Sequence, residues 1–253
     1  MNAKTEFLPG NTISKQFGVL LGLLLGATLL CAGDKPWKAK SYQQWDEKDL
    51  QTILTESPWV RVTPIQRSWL PVAEKDVAPD PQINGGVRQM PAPGTSDNTV
   101  RAGEESLREL NVQIYWQSSR VMRAATAREA ALHGRQVDVD KYAVEPQSEY
   151  QIIVRMGDMT PFAQHDEKFF QDSAALQTKK SKEKIVPTHV VYEKNAKGTV
   201  QDAIFFFPKS ISSGAPTIAG DEKEVQFSCK IGDQTVRVAF RPQEMVDQSG
   251  PAL

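Results

Sequence analysis

The stretch VQIYWQSSRVMRAATAREAAL, residues 112–132, decides how the rest of this sequence is interpreted. It begins with an alternation of side chains that is typical of a strand with one apolar face. Ser118 and Ser119 follow, and either serine can cap the start of a helix. The alanine-rich run to Leu132 is typical of a helix, and Gly134 is placed to end it. The stretch therefore predicts a strand that leads directly into a helix, whose small side chains let it lie close to a sheet.

The sequence after this helix predicts a second helix, within residues 162–177, and several strands. The clearest strands form a hairpin of residues 225–231 and 236–240, in which side chains alternate on either side of a Gly232-Asp233 turn. Shorter strands are predicted over residues 150–154, 188–193 and 203–207. We therefore expect an α+β domain over residues 104–247, in which a mixed or antiparallel sheet is covered by the two helices.

The first 33 residues predict a secretory signal peptide. Lys4 and Lys15 precede an apolar run from Phe17 to Leu30, and the small Gly33 is followed by polar residues. This order of a basic start, a short apolar centre and a small-residue cleavage region is typical of export signals. The apolar run is about 14 residues long, whereas a membrane-spanning helix needs roughly 20. The expected location is periplasmic or secreted, and a retained N-terminal anchor is the alternative.

Two ways of processing this signal remain open. Cleavage after Gly33 would release a chain that begins at Asp34, whereas lipid attachment at Cys31 would anchor the protein to the membrane. Leu30 stands before that cysteine, where lipid signals usually have a small residue. We expect contact with a membrane only through lipid on Cys31 or through an uncleaved signal.

Composition divides the rest of the chain. Residues 34–72 predict a short helix bracketed by Trp45 and Trp59, which would form an N-terminal appendage docked on the main domain. Residues 73–103 are rich in proline and glycine and predict a flexible linker. Residues 248–253 are expected to be a C-terminal tail.

The two bracketing tryptophans, Trp45 and Trp59, are the candidate binding residues. If their rings are buried, they anchor the helix to the domain. If they are exposed, an aromatic pair of this kind could bind a sugar or a peptide. The sequence leaves both interpretations open.

Charge and cysteine content bear on the class of partner. Removing Lys4, Lys15 and Glu6 with the signal from the 30 basic and 31 acidic residues leaves 28 and 30, a net charge of about −2. We expect no nucleic-acid partner, because there is no excess of positive charge for a phosphate backbone. The exported chain keeps one cysteine, Cys229, so no internal disulfide is predicted, and its place in the alternating hairpin predicts a buried side chain.

No catalytic, cofactor or metal site is predicted. The histidines His133, His165 and His189 lack the spacing of metal ligands. No serine lies in a glycine-flanked nucleophile turn, and no glycine loop is built to hold phosphate. Paired acids can come from distant loops, and the candidates for such a pair are Asp138, Asp140, Asp166 and Glu167.

The order of the elements resembles a family of uncharacterised exported bacterial proteins. The likeness rests on the export signal, the acidic helix that ends in Ser57-Pro58-Trp59, the strand and helix of residues 112–132, and the hairpin that ends near Phe240. The region around Trp45 is loosely similar to proteins labelled by a Gly-Trp-x-Thr-Asp motif, with Gln44 in place of the glycine. The family has no assigned activity, so the resemblance implies no catalytic residue.

The leading functional hypothesis is an exported envelope protein that acts as a non-enzymatic binding or interaction module. Its partner would be an envelope protein or a cell-wall component, and no cofactor is expected. One alternative is a secreted hydrolase that acts on cell-wall or extracellular polymer, which would need two carboxylates roughly 5–10 Å apart in one cleft. The other alternative is a membrane-anchored assembly factor.

Overall fold

The predicted strand and helix of residues 112–132 are both present in the computed structural model, which describes residues 35–70 and 109–253. The helices are α1 (Pro36–Ala39), α2 (Glu47–Glu56), α3 (Arg120–Leu132), α4 (Val139–Val144), α5 (Thr160–Gln164) and α6 (Glu167–Ser173). The strands are β1 (Val60–Gln66), β2 (Glu109–Trp116), β3 (Glu149–Met156), β4 (Ala174–Thr178), β5 (Lys184–Ile185), β6 (His189–Lys194), β7 (Val200–Pro208), β8 (Val225–Ile231), β9 (Gln234–Phe240), β10 (Val246–Asp247) and β11 (Gly250–Pro251). The predicted signal peptide with Cys31 and the predicted linker of residues 73–103 lie outside the described residues.

A five-stranded antiparallel sheet has the order β1-β2-β3-β7-β6. Its register aligns Tyr115 of β2 with Ile153 of β3, and Ile153 with Ile204 of β7. The alternate residues of β2 that were predicted to be apolar are buried; they are Val112, Ile114 and Trp116. We call the side on which they lie the inner face and the side of Tyr115 the outer face.

A second antiparallel sheet has four strands in the order β5-β4-β8-β9. The predicted hairpin is confirmed as β8 and β9, and Cys229 is buried within it. Gly232 at its turn has a φ of +60°, and a Cβ atom there would lie 2.9 Å from the Ser68 hydroxyl. Only glycine fits this turn without strain, because other residues carry a Cβ and rarely adopt that backbone conformation.

Aromatic side chains fill the space between the two sheets. The ring of Phe227 on β8 lies 5.5 Å from Phe205 and 6.2 Å from Phe207 on β7, measured between centroids. Trp116 lies 5.1 Å from Phe240 in the same way. Edge-on contacts of this kind stabilise a core beyond the area that they bury. The α+β class with antiparallel sheet structure is therefore confirmed.

Helix α3 begins and ends where the sequence predicts. The Ser119 hydroxyl accepts a hydrogen bond from the Met122 N–H at 3.1 Å, and Gly134 follows the helix with a φ of +80°. The helix packs beside α2 and α4. Its central alanines are buried, which is what allows this close approach; they are Ala124, Ala125 and Ala127.

The second predicted helix is shorter than expected. The chain is helical in α5 and α6 but extended in β4, so the helical pattern within residues 162–177 ends at Ser173. Backbone pairing with β8 explains the change, since Ala174 opposes Cys229 and Leu176 opposes Phe227.

Residues 35–70 form one compact unit with the rest of the described chain, which corrects the predicted appendage. Strand β1 pairs with β2 along its whole length. The Trp59 indole N–H donates a hydrogen bond to the Ala252 carbonyl oxygen at 2.6 Å, and both residues are buried. The same contact corrects the predicted tail of residues 248–253, because Ala252 is part of the core.

Candidate functional site

The candidate binding tryptophans are buried, which corrects their prediction as binding residues. Trp45 is 3% exposed and Trp59 is 0% exposed. The Trp45 indole N–H donates to the Pro36 carbonyl oxygen at 3.3 Å, and the ring of Trp59 packs edge-on against Trp37 with centroids 5.7 Å apart. Rings held in this way cannot stack on a sugar or a peptide, so both tryptophans act as anchors.

The three histidines lie in different surroundings. The rings of His165 and His189 stack on Phe169 and Phe206, with centroids 4.0 and 4.1 Å apart. His133 follows α3, and its Nδ1 lies 2.8 Å from the carbonyl oxygen of the helix residue Glu129. Over residues 35–70 and 109–253, no group of three or more histidine, cysteine or acidic side chains is placed to hold a metal ion.

Cys229 is fully buried in β8. Burial raises the pKa of its thiol, because a thiolate is poorly solvated in an apolar core. A buried neutral thiol is a weak nucleophile, so this residue packs as a small apolar side chain.

Three of the four acids proposed for a hydrolase accept hydrogen bonds from other groups of the protein. Asp138 and Asp166 are the N-caps of α4 and α6, and each accepts a backbone hydrogen bond at 2.9 Å. Asp140 accepts a hydrogen bond from the Tyr42 hydroxyl at 2.8 Å. None of these four acids, Glu167 included, lines either of two cavities of the described chain, which have volumes of about 680 and 600 Å³.

A groove of about 600 Å³ lies between α3 and the outer face of the five-stranded sheet. This volume is within the usual range for ligand sites. The strands supply its floor, α3 supplies much of its roof, and α2 and α4 each contribute to the lining. Its floor residues are Tyr115, Gln117, Gln151, Ile153, Arg155, Glu193, Asp202 and Ile204.

The floor of this groove is apolar along one row of the sheet. Tyr115, Ile153 and Ile204 are cross-strand neighbours on β2, β3 and β7. Burial raises the pKa of the Tyr115 hydroxyl, which donates a hydrogen bond to Gln113 at 2.6 Å. The row presents two aliphatic side chains beside a neutral phenol, and so favours an apolar group of a ligand.

The next row of the floor is polar and holds an ion pair. Arg155 donates two hydrogen bonds to the two carboxylate oxygens of Asp202, at 2.6 and 2.7 Å. Asp202 is buried, and hydrogen bonding to this carboxylate raises the pKa of Arg155 above its ordinary value. The guanidinium also lies over the ring of Tyr115, 5.7 Å from its centroid. Glu193 is the cross-strand neighbour of Asp202.

This geometry determines what the groove can do chemically. Both oxygens of Asp202 are occupied by Arg155, so this carboxylate is committed to holding the sheet surface rather than to attacking a bond. Glu193 on the floor and Glu129 on the roof are the other acids that line the groove. The arrangement is suited to hold a ligand by polar contacts around an apolar centre.

The roof of the groove carries charges of both signs. Glu129 lies on α3 and Arg135 follows that helix, and both line the groove. The Gln117 side-chain amide donates to the Thr126 hydroxyl at 3.3 Å, which ties the floor to the roof. A ligand with polar and apolar groups matches this lining better than a purely apolar one.

A second cavity, of about 680 Å³, meets the groove at Arg155, which lines both. Asp158 lies in its wall and accepts hydrogen bonds from the Thr160 hydroxyl at 2.6 Å and from the Trp69 indole at 2.9 Å. Burial acts to raise the pKa of Asp158, but these hydrogen bonds outweigh it and the pKa is lowered. Asp158 therefore fixes the loop that follows β3.

The sequence contains one signal for the groove, which was missed. Gln113, Tyr115 and Gln117 alternate with the buried side chains of β2, so they had to share the opposite face. The strands that lie beside them could not be inferred, because register between distant strands leaves no local pattern.

Comparisons of the chain with family models, with curated proteins and with solved structures give no match. In the described part of the chain, no helix is long and apolar enough to cross a membrane.

Proposed function

We propose that this protein is an exported, non-enzymatic binding module that holds a segment of another envelope protein in the groove beneath α3. The observation that carries the proposal is the floor of the groove, where an aliphatic row lies beside a row of hydrogen-bonding and charged groups. A peptide offers both kinds of group along its length, with apolar side chains next to a polar backbone.

The packing of the Tyr115 ring favours a peptide over a sugar as the ligand. Sugars stack on the open face of an aromatic ring, whereas the ring of Tyr115 has the Arg155 guanidinium over it. The aliphatic residues Ile153 and Ile204 supply the remaining apolar floor and suit a side chain such as leucine or valine. The surrounding charges on Glu129 and Arg135 would select the residues on either side of it.

The binding site is tested by selecting peptides from a random display library on the purified chain that begins at Asp34. The variant Ala130→Trp places a large ring in the groove, because Ala130 lines it. Ala131→Trp is the matched control, since it changes the next residue of the same helix, which is also partly buried but does not line the groove. We expect selected peptides to bind Ala130→Trp at least about 10-fold more weakly than the wild type and to bind Ala131→Trp unchanged.

Two results would contradict this proposal. Selected peptides that bind Ala130→Trp as tightly as the wild type do would move the site away from the groove. If the library yields no enriched peptide on a folded protein, the ligand is not a peptide. Thermal unfolding of both variants controls for loss of fold.

Export is proposed on the sequence of residues 1–33, and it is tested by intact mass and cell fractionation. A soluble periplasmic or secreted species that begins at Asp34 supports cleavage after Gly33. A membrane-bound species with lipid on Cys31 would show that the exported protein is lipid-anchored and is not cleaved after Gly33. The full-length chain in the cytoplasm contradicts export.

A further inference from the structure

We propose that a site beside the start of α3 binds a phosphate-type oxyanion through Ser118, Arg123 and Lys209. These residues line a pocket of about 280 Å³, together with residues 251–253 and residues of the loop that follows α4. None of the three lines the groove, so the proposal is independent of the binding module described above.

The first observation is a buried hydroxyl without a partner. Ser118 is 1% exposed, and its hydroxyl makes no hydrogen bond within the described part of the chain. The capping role at α3 is already filled by Ser119, so Ser118 is not needed there. A buried hydroxyl in this state is destabilising, and an oxygen of a bound anion would satisfy it.

The second observation is the charge at the start of α3. The N-terminal end of a helix carries a partial positive charge, and acidic residues usually offset it. This helix of 13 residues has no acidic residue in its first turn. Arg120 and Arg123 stand close to this end instead. Arg120 is neutralised, because it donates to the two carboxylate oxygens of Asp247 at 2.8 and 2.6 Å.

Arg123 is not neutralised in this way. It is 7% exposed, and among the described residues its Nε and Nη1 groups donate only to backbone carbonyl oxygens, at 2.6 to 3.2 Å. Carbonyl oxygens accept these hydrogen bonds but carry no net charge. Arg123 lines the pocket, and no hydrogen bond of its Nη2 group to a described residue is seen, so the proposal assigns this group to the anion.

Lys209 brings a second cation to the same pocket. Its ammonium lies 5.1 Å from the centroid of the Tyr150 ring. Burial lowers the pKa of Lys209, and the nearby charge of Arg123 lowers it further. Among residues 35–70 and 109–253, neither cation forms an ion pair with a carboxylate. Two neighbouring cations that form no ion pair within the described chain are stabilised by a bound anion.

The number of charges and donors favours phosphate over a carboxylate. A phosphate monoester carries a charge of about −1.5 to −2 at neutral pH and several acceptor oxygens. It could neutralise both Arg123 and Lys209 and also accept from Ser118, whereas a carboxylate has one charge. The same chemistry is offered by free phosphate and by a phosphorylated lipid headgroup.

The test is a titration of the purified chain with inorganic phosphate at constant ionic strength, measured by isothermal titration calorimetry. Lys209→Gln is expected to weaken binding at least about 10-fold, because a charge-assisted hydrogen bond is lost. Lys230→Gln is the matched control, since Lys230 is an exposed strand lysine away from the pocket, and its phosphate affinity should be unchanged. Ser118→Ala should weaken phosphate binding while leaving the phosphate-free protein equally stable or more stable.

The outcomes separate the proposal from nonspecific charge effects. No binding at tens of millimolar phosphate, or an equal loss in Lys230→Gln, overturns it. Binding that Lys209→Gln removes supports it, and sedimentation with vesicles then identifies the source. Binding to phosphatidic acid vesicles but not to phosphatidylcholine vesicles, lost in Lys209→Gln, assigns a lipid headgroup. Phosphate binding without vesicle binding assigns a soluble phosphate compound.

Discussion

Replacing Trp59 by phenylalanine tests whether the N-terminal segment and the last residues share one core. The change removes the indole N–H that donates to the Ala252 carbonyl oxygen at 2.6 Å, at a position that is 0% exposed. Leaving that buried carbonyl unpaired costs about 1–3 kcal/mol. The smaller ring leaves space beside Trp37, which adds on the order of 1–2 kcal/mol. We therefore expect the free energy of unfolding to fall by about 2–5 kcal/mol.

The assay is urea unfolding of the chain that begins at Asp34, monitored by far-UV circular dichroism. Thermal unfolding gives a second measure of stability. Each 1 kcal/mol should lower Tm by roughly 2–4 °C for a chain of this size. The control is Val62→Thr on β1, where the side chain is 51% exposed and the change should cost less than about 0.5 kcal/mol. A loss below about 0.5 kcal/mol in Trp59→Phe, or a separate early transition of the N-terminal segment alone, would refute a shared core.

Three further predictions concern single side chains. Ser119→Ala should lower the free energy of unfolding by about 1 kcal/mol, because the helix loses its cap, whereas Ser118→Ala should not lower it; urea unfolding of the two variants compares them directly. Because folding lowers the pKa of Asp158, its carboxylate stabilises the folded protein at pH values above its pKa in the unfolded state, about 4. This stabilisation is lost as the pH falls through the pKa of Asp158 in the folded state. Urea unfolding at a series of pH values should therefore show a smaller acid loss in Asp158→Asn than in the wild type, and equal losses would contradict the assignment. Cys229 should react with a thiol reagent only in denaturant, and rapid reaction of the folded protein would show that its thiol is not buried.

Local patterns were sufficient to predict the elements whose signals lie within a few residues. The cap at Ser119 and the stop at Gly134 bound α3, and the alternation on either side of Gly232 predicts the β8–β9 hairpin. Each of these depends on neighbours in sequence, where backbone geometry and side-chain period act directly. The prediction of α+β structure followed from the sum of such elements.

The same reasoning failed where contacts join distant parts of the chain. Residues 34–72 were predicted to be an appendage because a proline- and glycine-rich segment follows them. Nothing local indicates that β1 pairs with β2 across that segment, or that Trp59 donates to Ala252. A tryptophan next to a short helix is equally compatible with a binding surface and with an anchor, and only long-range packing decides between them.

The groove could not be predicted from the sequence for a related reason. One row of its floor comes from β2, β3 and β7, and its ion pair joins Arg155 to Asp202 across two strands. Each residue alone is an ordinary polar or aliphatic residue of a strand. The face of the sheet on which each side chain lies depends on register, and a shift by one residue would turn every one of them to the inner face.

Helices α2 and α3 differ in the charge of their first turns. Helix α2 follows the rules, with a capping box at its start and Glu47 and Asp49 in its first turn. Helix α3 is also capped, yet its first turn has no acid, and Arg123 close to it forms no ion pair with a described residue. Of the two arginines near this end, only Arg120 forms an ion pair within the described chain, with Asp247. The missing acid and the two arginines are visible in residues 119–123, but the pocket and the buried Ser118 hydroxyl are not, so the proposed anion site depends on both the sequence and the structure.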